Sequence, residues 1–410
     1  MGLKFNLFQG SGYFMNDQKI AVYHFINGYK GGVYHVVKNI VQYSSIKSID
    51  NHIVYILQDE KFSEWEHVSM PMASSELVFR YSKFENLNLV YRRLAGHLPP
   101  KAIFIAHDWF ELGLVSHLGL SNPLIFFVHG CYPYYHNLYK KHKEHIDLAI
   151  CVSKLSATLL SSHGDIDKKI FFYRVPVKDF NSKQKTFDKL SIAVIAEDLT
   201  DPNKGLIKIK LINEELKKYS IPVEWHFAGS GFTKKDLNTW WGSNFNVPVY
   251  YGYVSQHSLQ EFYDKANTYL LPSQNEGVPV SLIEAMKAGC IPIVALWGQN
   301  VEDLVVDGYT GYVIGDSRPE TYAKALNSIF TDKVLSEKIS RDASIISANN
   351  YNPYTQVFEF ERCLHSLPKS KSRVRKYLYG SRLDMPWIPN SITIVLRKLK
   401  SKCRFLYFQL

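Results

Sequence analysis

The sequence predicts an α/β protein built from two doubly wound domains that face each other across a cleft. Three observations carry that reading. Short apolar runs, rich in β-branched and aromatic residues, alternate with helical stretches, which is the pattern of βαβ units and parallel sheets. A polar stretch with no apolar period, "VPVKDFNSKQKTFDKL" (175–190), divides those runs into two sets and reads as a linker. The chain of 410 residues is also longer than one ordinary hydrophobic core supports.

In the first set the expected strands are "KIAVYHFI" (19–26), "NHIVYIL" (51–57), "AIFIAH" (102–107), "LIFFVHG" (124–130) and "LAICVS" (148–153). The second set is "LSIAVIAE" (190–197), "VEWHFAG" (223–229), "VPVYYGYV" (247–254), "NTYLLPS" (267–273) and "IPIVALWG" (291–298). The expected division is a first domain over 1–180, a second over 190–355, a returning helix over 356–368 and a basic amphipathic tail over 369–410.

Composition narrows the class. Hydrophobic residues make up 46% and charged residues 21%, as in soluble globular proteins. No apolar run reaches the ~18 to 20 residues needed to span a bilayer. The start "MGLKFNLFQG" lacks an apolar core of signal-peptide length, and Asn6 stands where a myristoylation signal has Ser or Thr. The expectation is a cytoplasmic protein. The five cysteines (131, 151, 290, 363, 403) form no CxxC pair, which argues against a zinc ribbon, a redox motif or a disulfide framework. The net charge of +10 is local. Residues 369–410 hold eleven Lys and Arg against one acid, Asp384, which accounts for the whole excess of 48 bases over 38 acids. The body is neutral, so nucleic acid is not an expected partner.

The chemistry concentrates in "NEGVPVSLIEAMKAG" (275–289). A helix is expected over 279–288, with Pro279 as its first residue and Gly289 at its end. Free amides in and before the first turn, with the positive end of the helix dipole, make an anion site. Glu276 in the loop can accept hydrogen bonds from sugar hydroxyls, and Glu284 inside the helix from a second polyol. A ligand with hydroxyls at both ends and a diphosphate between them fits this arrangement. On the two glutamates alone, compensation of the helix dipole is the stronger reading.

The wider segment "YLLPSQNEGVPVSLIEAMKAGCIPIVALWGQNVEDLVVDGYTGYVI" (269–314) resembles the donor-binding segment of retaining glycosyltransferases of family 4, which have the GT-B fold of two Rossmann-like domains. Pro272, Ser273, Glu276, Glu284, Ala285, Met286, Gly289, Pro292, Gly298, Glu302, Gly308, Thr310 and Gly311 fall on that family's pattern. A weaker resemblance runs from about residue 19 to 365. It implies that Glu276 contacts the donor sugar, that Glu284 holds the ribose, and that the backbone of Gly277 and Val278 approaches sugar and phosphate. "DPNKGL" (201–206) resembles the family's Lys-Gly, where Lys204 neutralises the diphosphate. The family's arginine a few residues earlier is missing from "AEDLTDP" (196–202), so the clamp is weaker or another base completes it. By the same resemblance the turn "FAGSG", with Gly229 and Gly231, lies near the nucleotide, and Val254 in "YGYVS" lies where backbone reads the base.

In the first half, Gly31 and Gly32 in "NGYKGGVYHVV" are either a tight βα turn or the glycine loop that nears sugar and phosphates. His129 ends a strand, where open α/β sheets place their sites. The family has a sugar-contacting histidine at this point. Asp108, after His107, either lines the acceptor side or caps a turn. Ser153 matches a family serine near the phosphate.

The reaction implied is transfer of a sugar from a nucleotide diphosphate sugar to a saccharide acceptor with retention at the anomeric carbon, without metal or cofactor, in surface polysaccharide or lipopolysaccharide synthesis. A nucleotide-sugar epimerase of the same fold and a catalytically degenerate membrane-docking protein are the alternatives. In the tail, Ile392, Val395, Leu396, Leu399, Cys403 and Leu406 form one helical stripe, with Arg397, Lys400 and Arg404 on another face. That helix either packs on the body through its stripe or lies in an anionic membrane surface, which would suit a lipid-linked acceptor.

Overall fold

The computed structural model describes residues 19–29, 31–162, 169–242, 246, 248–296, 301–365, 367 and 381–407. Its first sheet comprises β1 (Ile20–Asn27), β2 (Ile49–Gln58), β3 (Ser75–Tyr81), β4 (Ile103–Ala106), β5 (Leu124–Val128), β6 (Leu148–Cys151) and β7 (Lys169–Phe172). Its second comprises β8 (Leu190–Asp198), β9 (Val223–Ser230), β10 (Val249–Tyr250), β11 (Thr268–Leu271), β12 (Ile291–Ala295) and β13 (Tyr312–Ile314).

The strand orders are β3-β2-β1-β4-β5-β6-β7 and β10-β9-β8-β11-β12-β13. Every pairing is parallel; β1, for example, aligns Ile20 with Ile49 on one side and Val22 with Ile103 on the other. Each sheet reverses its winding beside its first strand, between β1 and β4 and between β8 and β11. Ligand sites in open parallel sheets lie at such switch points, outside the carboxyl ends of the strands.

Interior strands are mostly apolar because helices cover both faces. "IFIA" in β4 and "LIFFV" in β5 are buried throughout. Edge strands differ from the sequence expectation. β3, β7 and β13 were not anticipated, and β10 covers two residues rather than the expected eight.

The linker is not a free tether. Val175, Val177, Lys185 and Phe187 are buried, and Lys185 Nζ donates to the Tyr263 carbonyl at 2.8 Å. Lys287, from the helix Val280–Lys287, is also buried. Its ammonium donates to the Val177 carbonyl at 2.6 Å, Asp179 Oδ1 at 2.8 Å and the Tyr351 carbonyl at 3.0 Å. One side chain thereby pins the junction of the two domains. The helix Pro353–His365 returns to the first domain, where Phe360 packs on His24, Phe127 and Tyr173. Its Glu361 accepts hydrogen bonds from Ser44 and Ser45. No helix among the described residues is long and apolar enough to cross a membrane.

Candidate functional site

The second-domain wall of the cleft is built around the loop between β11 and the helix Val280–Lys287. Pro279 caps that helix in an extended conformation, one residue earlier than its expected place inside the first turn, and no side chain caps the exposed amides. Gly289 follows the helix with φ +85°, in the left-handed region. Glu276 Oε1 lies 2.8 Å from Lys204 Nζ. Asn203 holds these two loops together. Its side-chain oxygen accepts from the Asn275 amide at 3.0 Å, and its side-chain NH2 donates to the Asn275 carbonyl at 2.8 Å. Its carbonyl also accepts from the Gln274 amide at 3.1 Å. The Lys204–Glu276 pair is therefore set by backbone geometry before any ligand arrives.

Glu284 points from the second turn of the same helix and accepts from the Tyr263 hydroxyl at 3.2 Å. Burial pushes its carboxyl up to about 7, against the Tyr263 hydrogen bond and the lysines 178 and 287. The buried Ser273 has an unpartnered hydroxyl at the mouth of this loop. Val278 and Val254 are partly buried against the adjoining core.

The glycine-rich turn after β9 is fixed rather than loose. Gly229 takes φ +141°, and a Cβ there would sit 2.1 Å from the Ala196 carbonyl oxygen. Gly231 similarly presses on Asp198. The Tyr250 hydroxyl bridges the carbonyls of Gly229 and Phe232 at 2.8 and 2.7 Å. Tyr250 is the second residue of the short β10.

The first-domain wall is different in kind. His129 stands just past β5, where its Nε2 meets His107 Nδ1 at 2.8 Å. His24, on β1, stacks behind His107 with ring centroids 6.2 Å apart, and its Nε2 meets Asn51 Oδ1 at 3.1 Å. Burial pushes His24 down to about 4 and His129 to about 3. It also holds His107 well below the ordinary value, with its neighbours' charges adding to the effect. All three imidazoles are neutral at pH 7. One proton lies between His107 and His129, so fixing the tautomer of one fixes that of the other.

The walls come closest where the loop after β11 meets the end of β5. A Cβ on Gly277 would lie 2.1 Å from the His129 carbonyl oxygen, so only glycine lets the loop and the strand end meet. Beside that contact, Tyr132 faces Glu276. Its phenol is pushed up to about 12 by burial and by that carboxylate. Lys154 bridges the walls to Asp303 at 2.6 Å.

Several expected site residues have local structural partners. Asp108 caps the helix Trp109–Leu118, accepting from the Trp109 amide at 2.7 Å, while Glu111 accepts from the Asp108 amide at 2.9 Å. The Tyr134 hydroxyl also donates to Asp108. Ser153 is buried and caps the helix Lys154–Ser161 through the Ser156 amide at 3.1 Å. Gly31 stands in extended conformation at the N-cap of the helix Gly32–Gln42, with no side chain capping its first amides. Gly31 opposes Glu197, whose carboxylate lies 2.9 Å from where its Cβ would be, and Gly32 faces open space. Glu302 sits in the short 3-10 turn Val301–Asp303, and Gly298 lies outside the described residues.

Sequence reasoning missed Glu197, Tyr132 and Lys287. Glu197, near the end of β8, lies close enough to Lys204 to feel its charge, and burial raises its carboxyl. It was visible only as one of three acids in a segment lacking the expected arginine. Lys287 had a signal, since it stands unmatched between the family-pattern residues Met286 and Gly289. Among the described residues, no group of three His, Cys, Asp or Glu is arranged to hold a metal ion.

Residues 179–345 match the model of the family described as glycosyl transferases group 1. The chain is 28% identical over 204 residues to the putative colanic acid biosynthesis glycosyltransferase WcaL of Salmonella typhimurium, covering 47% of this chain and 48% of that protein. It is 24% identical over 273 residues to the amylovoran biosynthesis glycosyltransferase AmsK of Erwinia amylovora, covering 61% of this chain and 66% of that one. Over residues 179–345 this chain is similar to the glycosyl transferases of group 1. It spans about half the length of the curated relative WcaL. Among solved structures, Anabaena Alr3699/HepE in complex with UDP and glucose superposes with a TM-score of 0.66 at 15% identity, over 85% of this chain and 100% of that one. Sucrose-phosphate synthase from Thermosynechococcus elongatus gives 0.66 at 12% identity, over 85% and 98%. These likenesses show the GT-B fold. The family match covers the charged wall of the cleft, from Lys204 to Glu284.

Proposed function

We propose that this GT-B protein is a retaining glycosyltransferase of family 4 that moves a sugar from a nucleotide diphosphate sugar to a saccharide acceptor, lipid-linked, in surface exopolysaccharide synthesis. The observation that carries the reading is the Lys204–Glu276 pair, 2.8 Å apart, at the uncapped start of the helix Val280–Lys287 and against the His129 backbone.

In this reading the diphosphate lies on the free amides of that helix and beside Lys204, where its charge is compensated as the sugar leaves. Glu276 then turns from Lys204 toward hydroxyls of the donor sugar, and Glu284 accepts from the ribose. His129, neutral and oriented by His107, meets the sugar from the opposite wall without adding charge. The bond from the anomeric carbon to the phosphate oxygen breaks, and the acceptor oxygen attacks from the same face. The departing phosphate takes the acceptor's proton. No carboxylate is required as a base, and rate comes from positioning and from stabilising the leaving group.

Support for the substrate class comes from relatives whose names place them in colanic acid and amylovoran biosynthesis. A structural neighbour was solved with UDP-glucose. We include independence from metal and cofactor in the proposal, because Lys204 and the helix amides would together compensate the charge of a diphosphate held there.

The test is to incubate the protein with a panel of UDP-, GDP- and ADP-sugars, with and without undecaprenyl-linked oligosaccharides, adding EDTA in parallel. The anomeric configuration of the product is then read by NMR. Retained configuration, undiminished by EDTA, is expected. An inverted product, or turnover of donor to an epimer without acceptor, overturns the proposal.

A further inference from the structure

The helix Asn390–Tyr407 docks on the body by its polar side. The Asn86 amide donates to Asn390 Oδ1 at 2.8 Å, and the Asn86 side chain donates to the carbonyls of Met385 and Ile388 at 3.1 and 2.9 Å. Buried Asp384 accepts from the Leu87 amide at 2.8 Å and from Arg397 Nη2 at 2.7 Å. Thr393, fully buried, donates to the Leu383 carbonyl at 3.0 Å.

With Asn390, Thr393 and Arg397 turned inward, a 3.6-residue period puts Ile392, Val395, Leu396 and Leu399 on the opposite side. They are 50, 56, 45 and 54% exposed, and Trp387, just before the helix, is 73% exposed. This inverts the usual arrangement, in which the apolar stripe packs and the polar face is solvated. Sequence spacing continues the stripe through Cys403 and Leu406. Lys398 and Lys400 are exposed on its two flanks, and no acid follows Asp384 up to residue 410.

We propose that this helix is a docking element for an anionic lipid bilayer, lying in the interface with the stripe inward. The charge pattern selects this occupant. Lysines on both flanks of an apolar stripe match a negative surface, and their long stems let the ammonium groups rise to the headgroups. A second copy would bring the flanking lysines against each other. Position adds to the argument. Ser82–Asn86, where the helix is anchored, follows β3, and because the sheet is parallel this loop lies on the same edge as Asp108 and His129. A docked helix therefore brings the first-domain side of the cleft to the membrane. Docking does not rest on the proposed reaction.

The experiment is cosedimentation of the full chain with phosphatidylcholine vesicles with or without 30% phosphatidylglycerol. The comparison variant carries Val395→Asp and Leu399→Asp, both at exposed positions that leave the anchoring contacts intact. The wild type is expected to sediment with the anionic vesicles only. The double variant is expected to lose binding by at least about tenfold with an unchanged melting temperature, and Lys398→Gln to lose about fivefold. Absence of wild-type binding, or equal binding by the double variant, overturns the proposal. So does a dimer in analytical ultracentrifugation that the same variant dissolves without any vesicle binding, because a second copy would then cover the stripe. Nucleoside diphosphate affinity, measured on the same variant, is expected not to change, so docking and donor binding fail separately.

Discussion

The two walls of the cleft start from the same architecture and end with opposite electrostatics. Each is the carboxyl edge of a parallel sheet that reverses beside its first strand. The second-domain wall presents a lysine, two glutamates and the uncapped start of a helix. The first-domain wall presents three imidazoles that burial keeps neutral. One wall is suited to a polyanion whose charge grows during reaction, the other to an uncharged ring that needs only orientation. The fold supplies the cleft, and the side chains at the strand ends divide the labour.

The sharpest way to break this comparison is to remove charge from the charged wall. Lys204→Met is expected to cost ~10²–10³-fold in turnover, the usual loss when one donor to a developing anion is removed. A loss of only a few-fold would mean that another base holds the diphosphate. A substitution at the junction of the walls comes next. Lys287→Met removes three hydrogen bonds from buried or half-buried acceptors and is expected to cost about 2 kcal/mol of stability, read by chemical denaturation.

The charged wall also titrates. Glu284 is raised to about 7, so its protonated form is favoured in the folded state. Its contribution to stability is present in full below its unfolded value near 4.5 and is lost as pH rises through about 7. Ribose binding has the opposite sign, because the ionised carboxylate accepts both hydroxyl protons. Nucleotide affinity is expected to fall up to about tenfold from pH 8 to pH 6, and Glu284→Gln to flatten that profile. An unchanged profile in the variant would remove Glu284 from the ribose.

On the neutral wall the expected effect is smaller. His107→Phe leaves His129 without its partner and is expected to lower kcat/KM about fivefold, the worth of about one neutral hydrogen bond. The loss should fall on kcat more than on KM, and His107→Gln, which keeps a polar partner, should recover part of it. A tenfold or larger change in the pH profile of His107→Phe would mean that this wall carries charge after all.

What the sequence made legible follows the same division between centre and edge. β4, β5, β11 and β12 are interior strands, buried throughout and written as largely apolar runs. β3, β7 and β13 are edges. "SELVFRY" in β3 buries only Phe79 and Tyr81, so no apolar run announced it. In the site, Glu276 and Glu284 were legible because one motif fixes their spacing along a loop and a helix, and Lys204 because it stands in a second motif, "DPNKGL". The contact between Gly277 and His129, the approach of Glu197 to Gly31 and the anchoring of Lys287 join residues far apart in the chain. No local pattern encodes such meetings, which arise from how the two domains close. The tail showed a third case. Its stripe was plain in the sequence, but which way it faced depended on Asp384, Asn86 and Arg397.

The most direct measurement is isothermal titration of UDP, GDP and ADP into the wild type and into Glu284→Ala. The account predicts that one of the three binds at about micromolar Kd and that the variant loses that binding. Binding by none of them, or equal binding by Glu284→Ala, would contradict the assignment of the charged wall to a nucleoside diphosphate.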